Sequence, residues 1–205
     1  PAYRWDVIAS RNFSWLRERA RRSADLYDGY RVDHLVGFYR TYGRPRRGGD
    51  AFFNPAEESV QVALGEAVLG VMRQPGSDII AEDLGVVPGF VRASLERLGV
   101  PGFRVLRWER LWDIGGQPFR DPREYPVSSV ATSGTHDTET LAAWWDQLSQ
   151  DDRRILGTLP VVEQVSGGSP IDCPFDPRVR DVLVETLFAS SSELLLLPIQ
   201  DVFGW

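Results

Sequence analysis

Three acidic side chains stand at the ends of three predicted strands, and a polar or glycine-rich loop follows each of them. Asp33 ends the segment Tyr-Arg-Val-Asp, Glu82 ends Ile-Ile-Ala-Glu, and Asp137 lies in the loop after a strand through Val130. In a barrel of alternating strands and helices, groups at the carboxyl ends of different strands lie at the mouth, outside the packed interior. This placement predicts a catalytic role for the three carboxylates.

Basic and imidazole groups adjoin two of these acids. Arg31 and Asp33 are two residues apart on one predicted strand, so their side chains point the same way. The guanidinium can then hold the carboxylate ionised and oriented, as a nucleophile requires. The chain has two histidines, and each sits beside an acid: His34 follows Asp33, and His136 precedes Asp137. A neutral imidazole offers both a donor and an acceptor to hydroxyl groups.

Structural roles are the alternative for each acid taken singly. An aspartate at a strand end is often a helix cap or a loop ion-pair partner, and Arg31–Asp33 has the composition of an ordinary ion pair. Three acids on separate strands, two of them beside a histidine, favour a catalytic site.

The elements that must carry these residues alternate between strand and helix. Short, mostly apolar runs predict strands at residues 30–35, 79–82, 103–108, 127–133 and 194–199. Apolar periodicity and end signals predict helices over 14–27, from Asn54 (N-cap) and Pro55, over 88–98 before Gly99, over 138–148, and from Asp176-Pro177. Residues 43–50 and 157–174 are the most loop-like. The alternation indicates an α/β fold.

Composition argues against several classes of function. The 205 residues suit one domain, and the net charge of −6 is unsuited to non-specific nucleic-acid binding. All 23 basic residues are arginine, which removes lysine Schiff-base chemistry and the phosphate-loop lysine. No apolar run approaches the roughly 18 residues of a membrane helix. With no visible signal peptide and a single cysteine, Cys173, we expect a cytoplasmic protein with no membrane or nucleic-acid partner.

Five segments together resemble the barrel-strand motifs of the 4-α-glucanotransferases (amylomaltases) of the α-amylase superfamily. Residues 30–34 (Tyr-Arg-Val-Asp-His) are similar to strand four, 80–85 (Ile-Ala-Glu-Asp-Leu-Gly) to strand five, and 134–137 (Gly-Thr-His-Asp) to strand seven. Residues 101–105 (Pro-Gly-Phe-Arg-Val) and 197–201 (Leu-Pro-Ile-Gln-Asp) resemble strands six and eight.

The resemblance implies an α/β fold that is a partial (β/α)8 TIM barrel, approximately strands four to eight, with residues 1–205 as the C-terminal part of the catalytic barrel. It leads to the expectation that strands one to three precede Pro1. A barrel of this kind usually needs about 250 residues. We therefore expect this chain alone to be inactive or weakly folded.

The chemistry that the resemblance implies is a retaining transfer of α-1,4-glucan segments between maltooligosaccharides, with no metal or organic cofactor. Asp33 would form the covalent glucosyl-enzyme, and Glu82 would protonate the leaving oxygen and then deprotonate the acceptor. Asp137 would bind sugar hydroxyls and stabilise the transition state. The supporting substrate-binding residues would be Arg31, His34 and His136.

Aromatic side chains are further candidates, because aromatic faces stack on glucose rings. Tyr3, Trp5 and Trp112 are candidates for lining a glucan groove, with core packing as the alternative for each. Trp144 and Trp145, at the start of a predicted helix, are interpreted as core residues.

Other functions stay open on the sequence alone. One is a hydrolysing α-glucosidase or amylase with the same three acids, and another is an inactive glucan-binding fragment. A metal-dependent barrel lyase or isomerase is disfavoured, because the chain has no lysine and its sixth strand ends at Trp108, which is not an acid.

Overall fold

The computed structural model describes residues 3–73 and 77–205. It divides into two compact units, Pro1–Gly102 and Phe103–Trp205. None of the helices in the described residues is long and apolar enough to cross a membrane.

In its described residues, the first unit combines parallel strands, helices and one hairpin. The strands are β1 (Gly29–Val32), β2 (Thr41–Gly43), β3 (Phe52–Asn54) and β4 (Asp78–Ala81). The helices are α1 (Trp5–Ser10), α2 (Ser14–Ala24), α3 (Val36–Tyr39), α4 (Glu58–Met72) and α5 (Gly89–Leu98). β1 and β4 pair in parallel, with Val32 opposite Ala81, so both strands end at the same edge. β2 and β3 form the antiparallel hairpin.

The core of the first unit forms where the apolar faces of its helices cover the two parallel strands. α2 buries Leu16 and Ala20, which are four residues apart and therefore on one side of the helix. Leu69 of α4 and Val91 of α5 are fully buried in the same cluster. Trp5 belongs to this core, with 7% of its surface exposed.

The second unit repeats the strand–helix pattern in its own residues. Its strands are β5 (Gly102–Val105, of which Gly102 ends the first unit), β6 (Ser129–Thr132) and β7 (Leu194–Leu195). Its helices are α6 (Leu141–Gln147), α7 (Gln150–Gly157), α8 (Pro160–Ser166), α9 (Pro177–Phe188) and α10 (Ile199–Phe203), with a 3-10 turn at Pro122–Glu124. β6 pairs in parallel with β7. Trp144 and Trp145 are buried in its core, as predicted.

In the first unit, β4 pairs in parallel with β1 and with Gly102, the first residue of β5, and in the second unit β6 and β7 are parallel neighbours. Successive parallel neighbours joined by helices are the pattern of a (β/α) barrel. The predicted fold class, an α/β fold that forms part of a (β/α)8 barrel, is confirmed.

The predicted helix start at Asn54-Pro55 is wrong. Asn54 is the last residue of β3 and pairs with Thr41 across the hairpin, so it cannot cap a helix. α4 begins at Glu58, with Glu57 as its N-cap.

The predicted loop at 157–174 is also wrong in part, because it contains α8. Pro160 starts this helix, Gly167 ends it in a left-handed conformation, and Val161 and Val162 between them are buried. Two adjacent valines are too short a pattern to show helical periodicity in the sequence.

Four predicted strands extend too far. The strand predicted at 103–108 ends at Val105, and the one predicted at 127–133 spans only Ser129–Thr132. The first ends at Val32 and not at residue 35, because His34 adopts a left-handed conformation with φ of 46°. The last is reduced to Leu194–Leu195, and α10 begins at Ile199 directly after Pro198, which has no N–H for a strand ladder.

Candidate active site

Asp33 lies directly after β1, and its side chain is 73% exposed. Its Oδ1 contacts Nη2 of Arg31 at 2.7 Å, which confirms that the two side chains share one side of the strand. An ion pair this exposed contributes only about 0–1 kcal/mol to stability. Its physical effect is to orient the carboxylate and to keep a positive charge beside it.

Glu82 lies directly after β4 and has only 13% of its side chain exposed. Its Oε2 accepts the backbone N–H of His34 at 2.7 Å, and its Oε1 accepts the backbone N–H of Leu84 at 3.1 Å. Because the two donors engage different oxygens, the plane of the carboxylate is fixed. The Glu82 carboxylate is therefore largely shielded from solvent and held in one orientation.

The backbone brings the two acids together. Glu82 donates its N–H to the Val32 carbonyl at 2.9 Å, and its own carbonyl accepts the N–H of Leu35 at 3.2 Å. These bonds continue the β1–β4 ladder past the last strand residues. Arg31 Nη2, already bound to Asp33, is also 4.0 Å from Glu82 Oε2. One guanidinium therefore faces both carboxylates.

A cleft of about 440 Å³ opens beside Asp33 in the first unit. Trp5, Arg31 and Asp33 line it, together with the half-exposed Tyr3. The Tyr3 and Trp5 rings lie 5.2 Å apart, and the indole N–H of Trp5 is buried with no hydrogen-bond partner in the described part of the chain. The cleft thus has an aromatic wall and a carboxylate at its edge.

The second unit presents His136 and Asp137 on the loop after β6. Both side chains are largely exposed, at 68% and 79%, and His136 Nε2 lies 3.3 Å from Asp137 Oδ2. The hydroxyl of Thr138 donates to the Thr135 carbonyl at 2.9 Å and accepts the Thr135 N–H at 3.0 Å, so the turn beneath them is closed. Trp112 belongs to the same unit and is 61% exposed in the loop after β5.

Several groups of this site were missed in the sequence. The N–H donors of His34 and Leu84 are backbone groups, which no residue type reveals. Trp15 and Arg19 line the cleft, but they read as an ordinary exposed helix face in α2. Within residues 3–73 and 77–205, no cluster of three or more His, Cys, Asp or Glu side chains is arranged to hold a metal ion.

The chain is similar in sequence to proteins that share one description. The sequence model of one family, described as 4-alpha-glucanotransferase, matches residues 1–205. A 4-alpha-glucanotransferase of Chlamydia pneumoniae is 35% identical over 146 residues, which is 71% of this chain and 27% of the relative. The chloroplastic/amyloplastic 4-alpha-glucanotransferase DPE1 of Arabidopsis thaliana is 29% identical over 207 residues, covering all of this chain and 33% of the relative.

A solved structure shows the same likeness in three dimensions. An amylomaltase from Streptococcus agalactiae in complex with acarbose superimposes on the whole chain with a TM-score of 0.73 and 25% identity, over 38% of its own length. This chain spans about a third of the length of the relatives that it matches along its whole length. Because the family model matches from end to end, the chain belongs to the 4-alpha-glucanotransferase family.

Proposed function

We propose that this chain supplies the nucleophile and the acid–base carboxylate of a retaining 4-α-glucanotransferase, which transfers α-1,4-glucan segments between maltooligosaccharides. The observation that carries the proposal is the position of Arg31, whose Nη2 lies 2.7 Å from Asp33 and 4.0 Å from Glu82. The proposal extends to the whole protein, of which residues 1–205 would form the C-terminal part of the catalytic barrel.

The spacing of the carboxylates favours retention over inversion. Asp33 Oδ1 and Glu82 Oε2 both lie near Nη2 of Arg31. The distance between these two oxygens therefore cannot exceed the sum of the 2.7 Å and 4.0 Å contacts. Retaining enzymes hold their carboxyl groups about 5–5.5 Å apart, whereas inverting enzymes need about 6.5–9.5 Å to admit a water. The upper limit on this oxygen–oxygen distance falls at the short end of the inverting range, which supports retention.

The environments of the two acids suit different roles. Asp33 is exposed beside a cation, so we assign it the attack on C1 of the donor sugar, while Glu82 gives its proton to the departing oxygen. In the second step the 4-hydroxyl of the acceptor attacks C1, Glu82 takes the hydroxyl proton, and Asp33 leaves as a carboxylate. Arg31 orients Asp33, and His34 contacts the substrate.

For His136 and Asp137 the support is the Gly-Thr-His-Asp motif together with their exposure on a closed turn. We propose that both bind sugar hydroxyls and that Asp137 stabilises the positive charge that develops in the transition state. They take no part in proton or sugar transfer.

The cleft wall suggests how a sugar is held in the first unit. Tyr3 and Trp5, whose rings lie 5.2 Å apart, give an apolar surface for a glucose ring. The acarbose complex of the Streptococcus agalactiae amylomaltase supports a carbohydrate ligand. A role for Trp112 in glucan binding and a cytoplasmic location both stay predictions.

The test is disproportionation of maltotriose, followed by chromatography of the products. This chain and the full-length protein are incubated in parallel, with Glu82→Gln as the inactive control and Arg21→Gln as a matched surface variant of the same unit. We expect glucose and a ladder of longer maltosaccharides from the full-length protein and from Arg21→Gln, and none from Glu82→Gln. Glucose without longer products would instead assign a hydrolase, and no products from the full-length protein would refute the transferase.

A further inference from the structure

A single buried carboxylate closes the two ends of the loop that carries His136 and Asp137. Residues 133–141 are called the His-Asp loop here. Asp201 in α10 is 2% exposed; its Oδ2 accepts the Ser133 hydroxyl, and its Oδ1 accepts the backbone N–H of Leu141 at 2.7 Å. The start and the end of the loop are therefore fixed to the same side chain.

A buried arginine fastens the loop between those ends. The Arg107 side chain is 2% exposed; its Nε donates to the Ser133 carbonyl at 3.0 Å, and its Nη1 donates to Glu139 Oε1 at 2.9 Å. The guanidinium also lies 5.3 Å from the centre of a Trp144 ring. Burial lowers the pKa of Arg107, and the negative charges of Glu139 and Asp201 oppose that shift. The cation is kept in the interior by these carboxylates.

The loop packs directly on the guanidinium. A Cβ at Gly134 would lie 2.5 Å from the Thr138 hydroxyl and 3.1 Å from Arg107 Nη2. A side chain here would press on the Thr138 hydroxyl of the loop and on the arginine, so the backbone two residues before His136 lies directly against Arg107.

The tip of the loop differs from its base. The side chains of His136 and Asp137 stand largely exposed, whereas Ser133, Glu139 and Leu141 of the same loop are hydrogen-bonded to buried side chains. We propose that Arg107, acting through Glu139 and the Ser133 carbonyl, is the positioning residue for His136 and Asp137. The kinetic part of this inference rests on the proposed function, whereas its structural part does not.

A second arginine of the same unit provides a matched control. Arg110 contacts Asp152 at 2.9 Å and lies 3.9 Å from the centre of the Phe119 ring. It therefore resembles Arg107 in pairing and stacking, but its side-chain bonds reach Asp152 and the Gln117 carbonyl and not the His-Asp loop. Replacing it removes a comparable ion pair without touching the loop.

The structural test uses the imidazole NMR signals of the full-length protein. His34→Gln and His136→Gln assign the signals of the two histidines of this chain. In Arg107→Met we expect the His136 ring signals to shift by more than their line width, with those of His34 unchanged, and in Arg107→Lys we expect a smaller shift. Arg110→Met should leave the His136 signals unchanged.

If Arg107→Met does not fold, Glu139→Gln removes the same ion pair from a partly exposed residue and should shift the His136 signals in the same direction. His136 signals identical to wild type in the folded variants would overturn the proposal.

The kinetic test uses maltotriose transfer by the full-length protein. We expect Arg107→Met to lower kcat per folded molecule by about tenfold to a hundredfold through misplacement of the loop, with partial recovery in Arg107→Lys and no change in Arg110→Met. A residue that only stabilised the fold would lower the melting temperature and leave kcat per folded molecule unchanged, and that outcome would contradict positioning. A displaced His136 with unchanged kinetics would support the structural part and refute the role proposed for His136 and Asp137.

Discussion

The backbone N–H of His34 donates a 2.7 Å hydrogen bond to the side chain of Glu82, although 48 residues separate them in the chain. His34 has a φ of 46°, a left-handed conformation that costs a non-glycine residue on the order of 1–3 kcal/mol. This turn aims the N–H of His34 at Glu82. The orientation of the proposed acid–base carboxylate thus depends on the backbone conformation of His34, in the turn that follows β1.

Gly37→Ala tests whether transfer depends on the placement of His34. A Cβ at Gly37 would lie 2.9 Å from Cδ2 of His34, so the imidazole has to move. We expect kcat for maltotriose transfer by the full-length protein to fall by about tenfold, because small misplacements of catalytic groups are costly. The free energy of unfolding should change by less than about 1 kcal/mol, since alanine has a higher helix propensity than glycine.

The control for this variant is Gly89→Ala, at the start of α5. A Cβ there meets nothing within 4 Å, so transfer should proceed at the wild-type rate. Equal kcat values for the two variants would show that the placement of the His34 side chain does not affect transfer.

Gly102→Ala is expected to destabilise the first unit. A Cβ at Gly102 would lie 2.5 Å from the carboxylate of Asp83, which is 1% exposed. Overpacking of this kind costs about 1–3 kcal/mol. Urea unfolding of this chain measures the loss.

Gly70→Ala, on the exposed side of α4, is the matched comparison. Its Cβ meets nothing within 4 Å, so helix propensity should stabilise the chain by up to about 1 kcal/mol. Destabilisation of the same size in both variants would argue against the contact with Asp83.

The lowered pKa of Asp121 predicts a pH-dependent contribution to the stability of the second unit. Burial raises the pKa of its carboxyl. The Arg123 guanidinium and the N–H groups of Arg123 and Val161 lower it by a larger amount, so the net pKa lies below its ordinary value. A carboxyl with a lowered folded-state pKa stabilises the fold above its unfolded pKa, about 3.9, and loses that effect as the pH falls through the folded-state value.

Asp121→Asn should therefore reduce the free energy of unfolding by about 1–3 kcal/mol at neutral pH, with a difference that shrinks below about pH 4. Denaturant unfolding at a series of pH values measures it. Asp181→Asn, at a largely exposed carboxylate on α9, should change stability by less than about 0.5 kcal/mol throughout. A difference for Asp121→Asn that grows in acid would reverse the sign assigned here.

The sequence by itself determined the features that arise from local periodicity and local end signals. Arg31 and Asp33 share one side of β1 because successive side chains of a strand alternate. Asp176 caps α9 with Pro177 in its first turn, and Gly99 ends α5 in a left-handed conformation, as predicted. The five barrel-like strands were also predictable as short apolar runs, although their ends were not.

Only the tertiary structure decided which distant groups meet. Glu82 takes its donors from backbone atoms of His34 and Leu84, and a backbone N–H has no residue-type signature. Arg107 reads in the sequence as one more arginine, yet it is buried against a loop some thirty residues on, where it pairs with Glu139. The helix start assigned to Asn54 failed for the same reason, since its partner in the hairpin is Thr41. Such contacts form between segments that share no local period, so packing and pairing fix them and sequence spacing does not.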